Sequence, residues 1–158
     1  MTEAPAAAQT VVTFEEVKDL IGKNLGTSAY REITQGQVDT FADATGDHQW
    51  IHVDPERAKD GPFGTPIAHG FLTLSLLIPM WGELLDVTGV KTKVNYGLDK
   101  VRFTSPVKVG SRIRMTATIA DVQEVKGNGL HVVADLTIEI EGSERPAVVA
   151  RFLSRLYA

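Results

Sequence analysis

The sequence predicts an α+β fold in which an antiparallel β-sheet wraps around one long central helix. Three observations predict it. Residues 66–85, "PIAHGFLTLSLLIPMWGELL", are apolar on nearly all sides, as a helix buried inside a domain must be. Further on, the hydrophobic period drops from 3.6 to 2 in three runs, at 111–122, 131–140 and 147–157, the pattern of half-buried strands. Turn chemistry, "GNG" at 127–129 and "EGSERP" at 141–146, separates those runs. A sheet with one oily face can bury such a helix by curling around it.

The elements follow in chain order. "MTEAPAAAQT" has neither a basic n-region nor an apolar h-region, so residues 1–12 read as a disordered tail rather than a signal peptide. Residues 13–158 then form a single domain. Thr13 with Glu16 makes a capping box for a short helix over 13–20. "GTSAYREI" (26–33) reads as a first strand. Thr34 caps an amphipathic helix marked by Val38, Phe41 and Ala42, and Gly46 ends it. Residues 46–66 are loop-rich, with one helical turn opened by Asp54 and Pro55. The central helix covers about 67–85. "KVNYGLDKVRFTSPV" (93–107) is extended, and Gly97 marks a bulge or close backbone approach.

Composition narrows the function. The chain has 158 residues, 43% hydrophobic and 23% charged, which fits a folded soluble domain and not a disordered one. It has no cysteine, which removes disulfides, thiolate nucleophiles and Cys-based zinc sites. A net charge of −4 without a basic tract argues against nucleic acid as a partner. In the 66–85 run, His69, Ser75, Pro79 and Glu83 interrupt the apolar stretch of about 20 residues that a membrane span needs, so no membrane insertion is expected. A cytoplasmic location is the simplest expectation.

The chemistry concentrates in "GDHQWIH" (46–52), which holds two of the chain's four histidines. His48 and His52 have the i, i+4 spacing of helical zinc ligands. However, Gly46 precedes them, Asp54-Pro55 opens a new turn after them, and the glutamate of HExxH is missing. Asp47 and His52 would sit roughly 140° apart on a helix and would not converge; in a loop they can. A carboxylate beside an imidazole can hold a water and move its proton. The spacing alone leaves open that Asp47 merely caps a turn and His52 bonds a backbone carbonyl. "AHGF" (68–71) adds a polar His-Gly pair at the mouth of an oily helix. An amide at a helix N-terminus favours a developing negative oxygen, and Gly70 lets a ligand approach the backbone; plain packing of the glycine is the alternative.

"FADATGDHQWIHVDPERA" followed by "FGTPIAHGFLTLS" resembles the MaoC-like, (R)-specific enoyl-CoA hydratases of the hot-dog fold. That family's pattern is Gly-Asp-x-Asn-Pro-aliphatic-His, a small residue six positions on, then Ala-His-Gly and a serine five after that glycine. This chain matches it at Gly46, Asp47, Ile51, His52, Ala58, Ala68, His69, Gly70 and Ser75, and the order of helix and strands agrees over about 26–157. "NYGLDKVRFTSPV" (95–107) resembles the single-hot-dog branch. The resemblance implies hydration of trans-2-enoyl thioesters of coenzyme A or an acyl carrier protein to (R)-3-hydroxyacyl thioesters, and the reverse dehydration. It implies Asp47 and His52 as the catalytic pair, the Gly70 amide and Gln49 toward the substrate, and Ser75 and His69 as supports. It implies no metal and no redox cofactor, and a homodimer. The pantetheine arm also implies a basic group facing its phosphates, for which Lys100 and Arg102 are candidates; solvated charges at a strand end are the alternative reading of both. The chain departs from the pattern at Gln49-Trp50, where the family has Asn-Pro; Trp50 is free to pack at an interface or along the acyl channel. A hot-dog thioesterase and a non-catalytic acyl-thioester-binding subunit are the alternative functions.

Overall fold

The computed structural model describes residues 5–158. The large sheet has three long strands at its centre: β6 (Arg112–Val125), β7 (Gly129–Ile140) and β8 (Val148–Tyr157). Outside β8 lies β5 (Thr92–Phe103), and outside β6 lie β2 (Asn24–Thr27) and β3 (Arg31–Glu32). All pairings in this sheet are antiparallel. The period-2 pattern sets the register: Met115, Ala117 and Ile119 of β6, Leu136 and Ile138 of β7, and Val148, Ala150 and Phe152 of β8 all face one core and are buried. The expected bulge at Gly97 is present, because the β5–β8 register slips between Asn95 and Gly97.

Inside the sheet lies the helical run. It differs from the single helix expected over 67–85 at both ends and in the middle. Residues 66–69 are extended: Ala68 N–H donates to Val107 O at 2.8 Å, Val109 N–H to Pro66 O at 2.9 Å, and Ile67 bridges Lys108. The helix starts at Gly70, as α4 (Gly70–Ser75), and resumes as α5 (Leu77–Leu84). Pro79 has no N–H to offer the Ser75 carbonyl, which explains the interruption at Leu76. Met80 and Leu84 are wholly buried. The chain then turns directly into a short strand, β4 (Leu85–Thr88).

β4 pairs in parallel with β1 (Thr10–Thr13). This corrects the expected disordered tail over 1–12: residues 10–12 belong to a strand, and Ala7 N–H donates to Thr27 O at 2.9 Å. Residues 1–4 of that tail lie outside the described residues. The first helix, Phe14–Leu20, is a 3-10 helix, and the Glu16 carboxylate accepts from Thr13 N–H at 3.3 Å. The expected first strand over 26–33 is broken in two by Ser28–Tyr30, where the Ser28 hydroxyl accepts from Met115 N–H in place of a ladder bond.

Candidate active site

Helix α1 (Gln35–Thr45) leads into the site. The Thr34 hydroxyl accepts from Gln37 N–H, the Gln37 side chain accepts from Thr34 N–H, and Gly46 closes the helix at φ 81°. The chain then forms two short helices, α2 (Trp50–Val53) and α3 (Pro55–Ala58). α3 is the expected turn, with the Asp54 carboxylate accepting from Arg57 N–H. α2 is an addition to the expectation, which treated the stretch as loop. Gln35 of α1 ties it down by donating its side-chain N–H to His52 O at 2.8 Å.

These elements bring together what the sequence separates. Ligand atoms of Asp47, His52 and His69 lie within 4.8 Å of one another. Both imidazoles are buried and stacked, with centroids 3.9 Å apart and planes inclined at 26°, while Phe41 covers His69 at 4.8 Å. Each ring is oriented by a backbone carbonyl: His52 Nδ1 lies 2.7 Å from Ile67 O, and His69 Nε2 lies 2.9 Å from Asp47 O. A carbonyl only accepts, so each of those nitrogens carries the proton. The unprotonated nitrogens are therefore His52 Nε2 and His69 Nδ1. Burial pushes the His52 pKa below its ordinary value, and neighbouring His69 adds to this; the Ile67 carbonyl and the Asp47 carboxylate pull the other way. His52 is thus held neutral, with Nε2 open as a proton acceptor.

His48 lies outside this group and faces Asp43 at 3.7 Å, both exposed. The structure therefore does not bring His48 together with His52. The Asp47, His52, His69 group has metal-like composition, but an imidazole binds metal in its own ring plane, and two rings stacked face to face do not converge in plane on one ion.

A cleft of about 310 Å³ opens beside His52, walled by Gly70, Thr73, Phe103 and residues 104–107. Gly70 is the first residue of α4, so its N–H has no partner within the helix. A Cβ at Gly70 would stand 3.0 Å from the Phe103 ring, which gives the glycine a packing reason as well as an access reason.

Other expected site residues are placed differently. Ser75 is exposed and donates to Phe71 O at 2.8 Å, a bond back to its own helix, so it does not support His52. Gln49 is exposed, and its backbone serves the turn: its N–H faces Asp47 Oδ1 at 3.4 Å and its carbonyl accepts from His52 N–H at 3.0 Å. Trp50 does not line the cleft and is half-buried. It is sandwiched between the Arg57 guanidinium, 4.4 Å above its ring, and Gly61, where a Cβ would stand 2.8 Å from it. Lys100 lies on the other face of the sheet, in a depression with Asp135 and Arg151, and Arg102 donates to Val101 O; neither is brought to the cleft. Sequence reasoning missed Thr73, Phe103 and the Ile67 carbonyl. Thr73 alone had a legible signal, being three residues from Gly70 and four from His69.

A family model described as "MaoC like domain" matches residues 16–141. The chain belongs to the MaoC-like family. It is 52% identical over 149 residues to 3-hydroxyacyl-thioester dehydratase Z of Mycobacterium tuberculosis, covering 92% of this chain and 99% of that protein. It is 44% identical over 145 residues to Nodulation protein N of Rhizobium leguminosarum bv. viciae, covering 90% of each. Among solved structures, a monoamine oxidase regulatory protein from Archaeoglobus superposes with TM-score 0.76 at 28% identity, over 96% of this chain and 99% of that one. The (R)-hydratase of A. caviae, at 22% identity and TM-score 0.68 over 85% and 94%, shares the fold. The architecture is accordingly the hot-dog fold of this MaoC-like family. Among the described residues no helix is long and apolar enough to cross a membrane.

Proposed function

We propose that this MaoC-like protein adds water to trans-2-enoyl thioesters of coenzyme A or acyl carrier protein, giving (R)-3-hydroxyacyl thioesters, and runs the reverse dehydration. The observation that carries the reading is the neutral, buried His52 with Nε2 open, beside Asp47 and at the edge of a cleft that contains the Gly70 amide. The relative named as a 3-hydroxyacyl-thioester dehydratase, alike over nearly its whole length, supports it.

The chemistry follows from those groups. Asp47 and His52 hold one water. As its oxygen bonds to C3, the C2–C3 π electrons move toward the thioester and its oxygen gains negative charge. The Gly70 N–H donates to that oxygen; losing one such donor typically costs on the order of 10²–10³ in rate. The proton released by the water passes through the pair to C2, so one water supplies both the hydroxyl and the new hydrogen. His69 acts through its neighbours: it holds the Asp47 carbonyl and stacks on His52. No residue in this scheme needs a metal or redox cofactor. An apolar cavity of about 190 Å³ farther along the helix, walled by Ile78, Trp81, Val132, Phe152 and Leu156, suits an acyl tail.

Residues 13–158 act as one domain, which we place in the cytoplasm and in fatty-acid metabolism. We read the working unit as a homodimer. β5 is twelve residues long, exposed along almost all of its length, and paired only with β8 among the described residues. Its free edge carries Val94, Tyr96, Leu98 and Phe103, and such an edge is normally paired or covered. The test of the function is a hydration assay across acyl lengths, coupled to dehydrogenases specific for (R)- or (S)-3-hydroxyacyl-CoA. Loss of the enoyl absorbance with (R)-coupled product is expected. Release of free thiol instead would identify a thioesterase, and tight binding without turnover a non-catalytic subunit.

A further inference from the structure

Buried polar atoms nearly always find a partner, and each exception calls for an explanation. Among the described residues three side-chain atoms are buried without one: Arg31 Nε, His69 Nδ1 and Thr73 Oγ1. Arg31 is already engaged through Nη2 with Glu83. The remaining two stand one helical turn apart at the mouth of α4, both in residues 2% exposed. Thr73 belongs to the cleft wall with His52 and Gly70. A threonine inside a helix ordinarily bonds the carbonyl four residues back, as Ser75 does to Phe71 in the same helix. Thr73 does not.

We propose that the Thr73 hydroxyl is a catalytic hydrogen-bond donor to the thioester oxygen, working with the Gly70 N–H; the proposal rests on the hydratase reading above. Side chains on a helix lean toward its N-terminus, and residues three apart share a face, so the Thr73 hydroxyl overhangs the turn that Gly70 begins. A thioester oxygen turning into an enolate oxygen offers more than one lone pair, and two donors from different directions match it better than one. A hydroxyl rotates to aim its proton as the charge develops. The bond strengthens as that charge grows, so its loss falls on kcat more than on KM.

The test uses the full chain with crotonyl-CoA and longer enoyl-CoAs. Wild-type turnover, measured first, decides the hydratase reading; a wild type that turns over none of them sinks that reading whatever Thr73 does. Given an active wild type, Thr73→Val keeps the shape and removes the hydroxyl, and its kcat should fall roughly 10- to 100-fold. KM should change much less, and the melting temperature should hold or rise, because an unbonded buried hydroxyl has been removed. Thr73→Ser keeps the hydroxyl and should stay within a few-fold of wild type. Thr73→Val turning over at the wild-type rate overturns the proposal. So does Thr73→Ser losing as much as Thr73→Val, which would assign the effect to the methyl group and its packing.

Discussion

Two acid–base pairs sit on opposite faces of the β-sheet, and they differ in how fully their hydrogen bonds are satisfied. On the outer face, Arg151 grips Asp135 with two bonds of 2.8 and 2.9 Å, and that grip holds the Asp135 carboxyl below its usual value. Both side chains are about half exposed to water. On the inner side, Asp47 and His52 make no such closed pair. His52 is fastened by one nitrogen and open at the other, and His69 and Thr73 beside it keep buried atoms unbonded. A closed, solvated ion pair has nothing left to give a substrate. An open one, with its imidazole buried and its carboxylate in reach of water, costs the fold some stability and keeps its hydrogen-bonding capacity for the reaction.

The largest effect expected from breaking this contrast is on the open pair. His52→Ala and Asp47→Asn should each lose about 10²–10⁴ of the enoyl-CoA hydration rate. Asp47→Asn should melt near wild type, since Asp47 is exposed; calorimetry beside the rate assay separates lost chemistry from lost fold.

Next comes the turn that aims His52. Trp50 occupies the first position of α2, where the family pattern has a proline. A proline there would restrict the turn through its own ring; Trp50 restrains it from outside, between Arg57 and Gly61. Trp50→Ala should therefore lower kcat roughly 10- to 100-fold by loosening the site, whereas Trp50→Pro should recover most of it. Equal rates in Trp50→Ala and wild type would show that the sandwich is idle.

The pH dependence should follow from the lowered His52 pKa. Catalysis needs the neutral imidazole, so the acid limb of kcat/KM should have its midpoint below the ordinary histidine value of 6.5. The same shift bears on stability. Below pH 6.5 the unfolded chain takes up a proton that the folded His52 resists, so this contribution is full above that pH and lost as pH falls toward the folded value. His52→Gln should flatten that part of a stability-versus-pH curve measured by urea unfolding.

The smallest effect belongs to the closed pair. Asp135→Asn should leave turnover unchanged and cost about 0.2–1 kcal/mol of stability, as exposed ion pairs do. A large loss of activity would mean that the outer face takes part in catalysis.

The amino-acid sequence by itself determined the layers of this protein. Period-2 runs place Met115, Leu136 and Phe152 toward a core whatever else the chain does, and Thr34 and Gly46 bound α1 through bonds to their own neighbours. Resemblance to a known motif picked out Asp47, His52 and Gly70. The rest depended on contacts between distant segments. The extended path of 66–69 beside 107–109 puts the Ile67 carbonyl on His52 and the His69 ring against Asp47, and no local spacing encodes that. Trp50 and Ser75 looked like parts of the site because the motif runs through them; packing turned one onto Arg57 and bonded the other to its own helix. Local propensity fixes where elements begin and end. Which nitrogen of His52 is open, and which hydroxyl is left unbonded beside it, is fixed only when a carbonyl far along the chain arrives or fails to arrive.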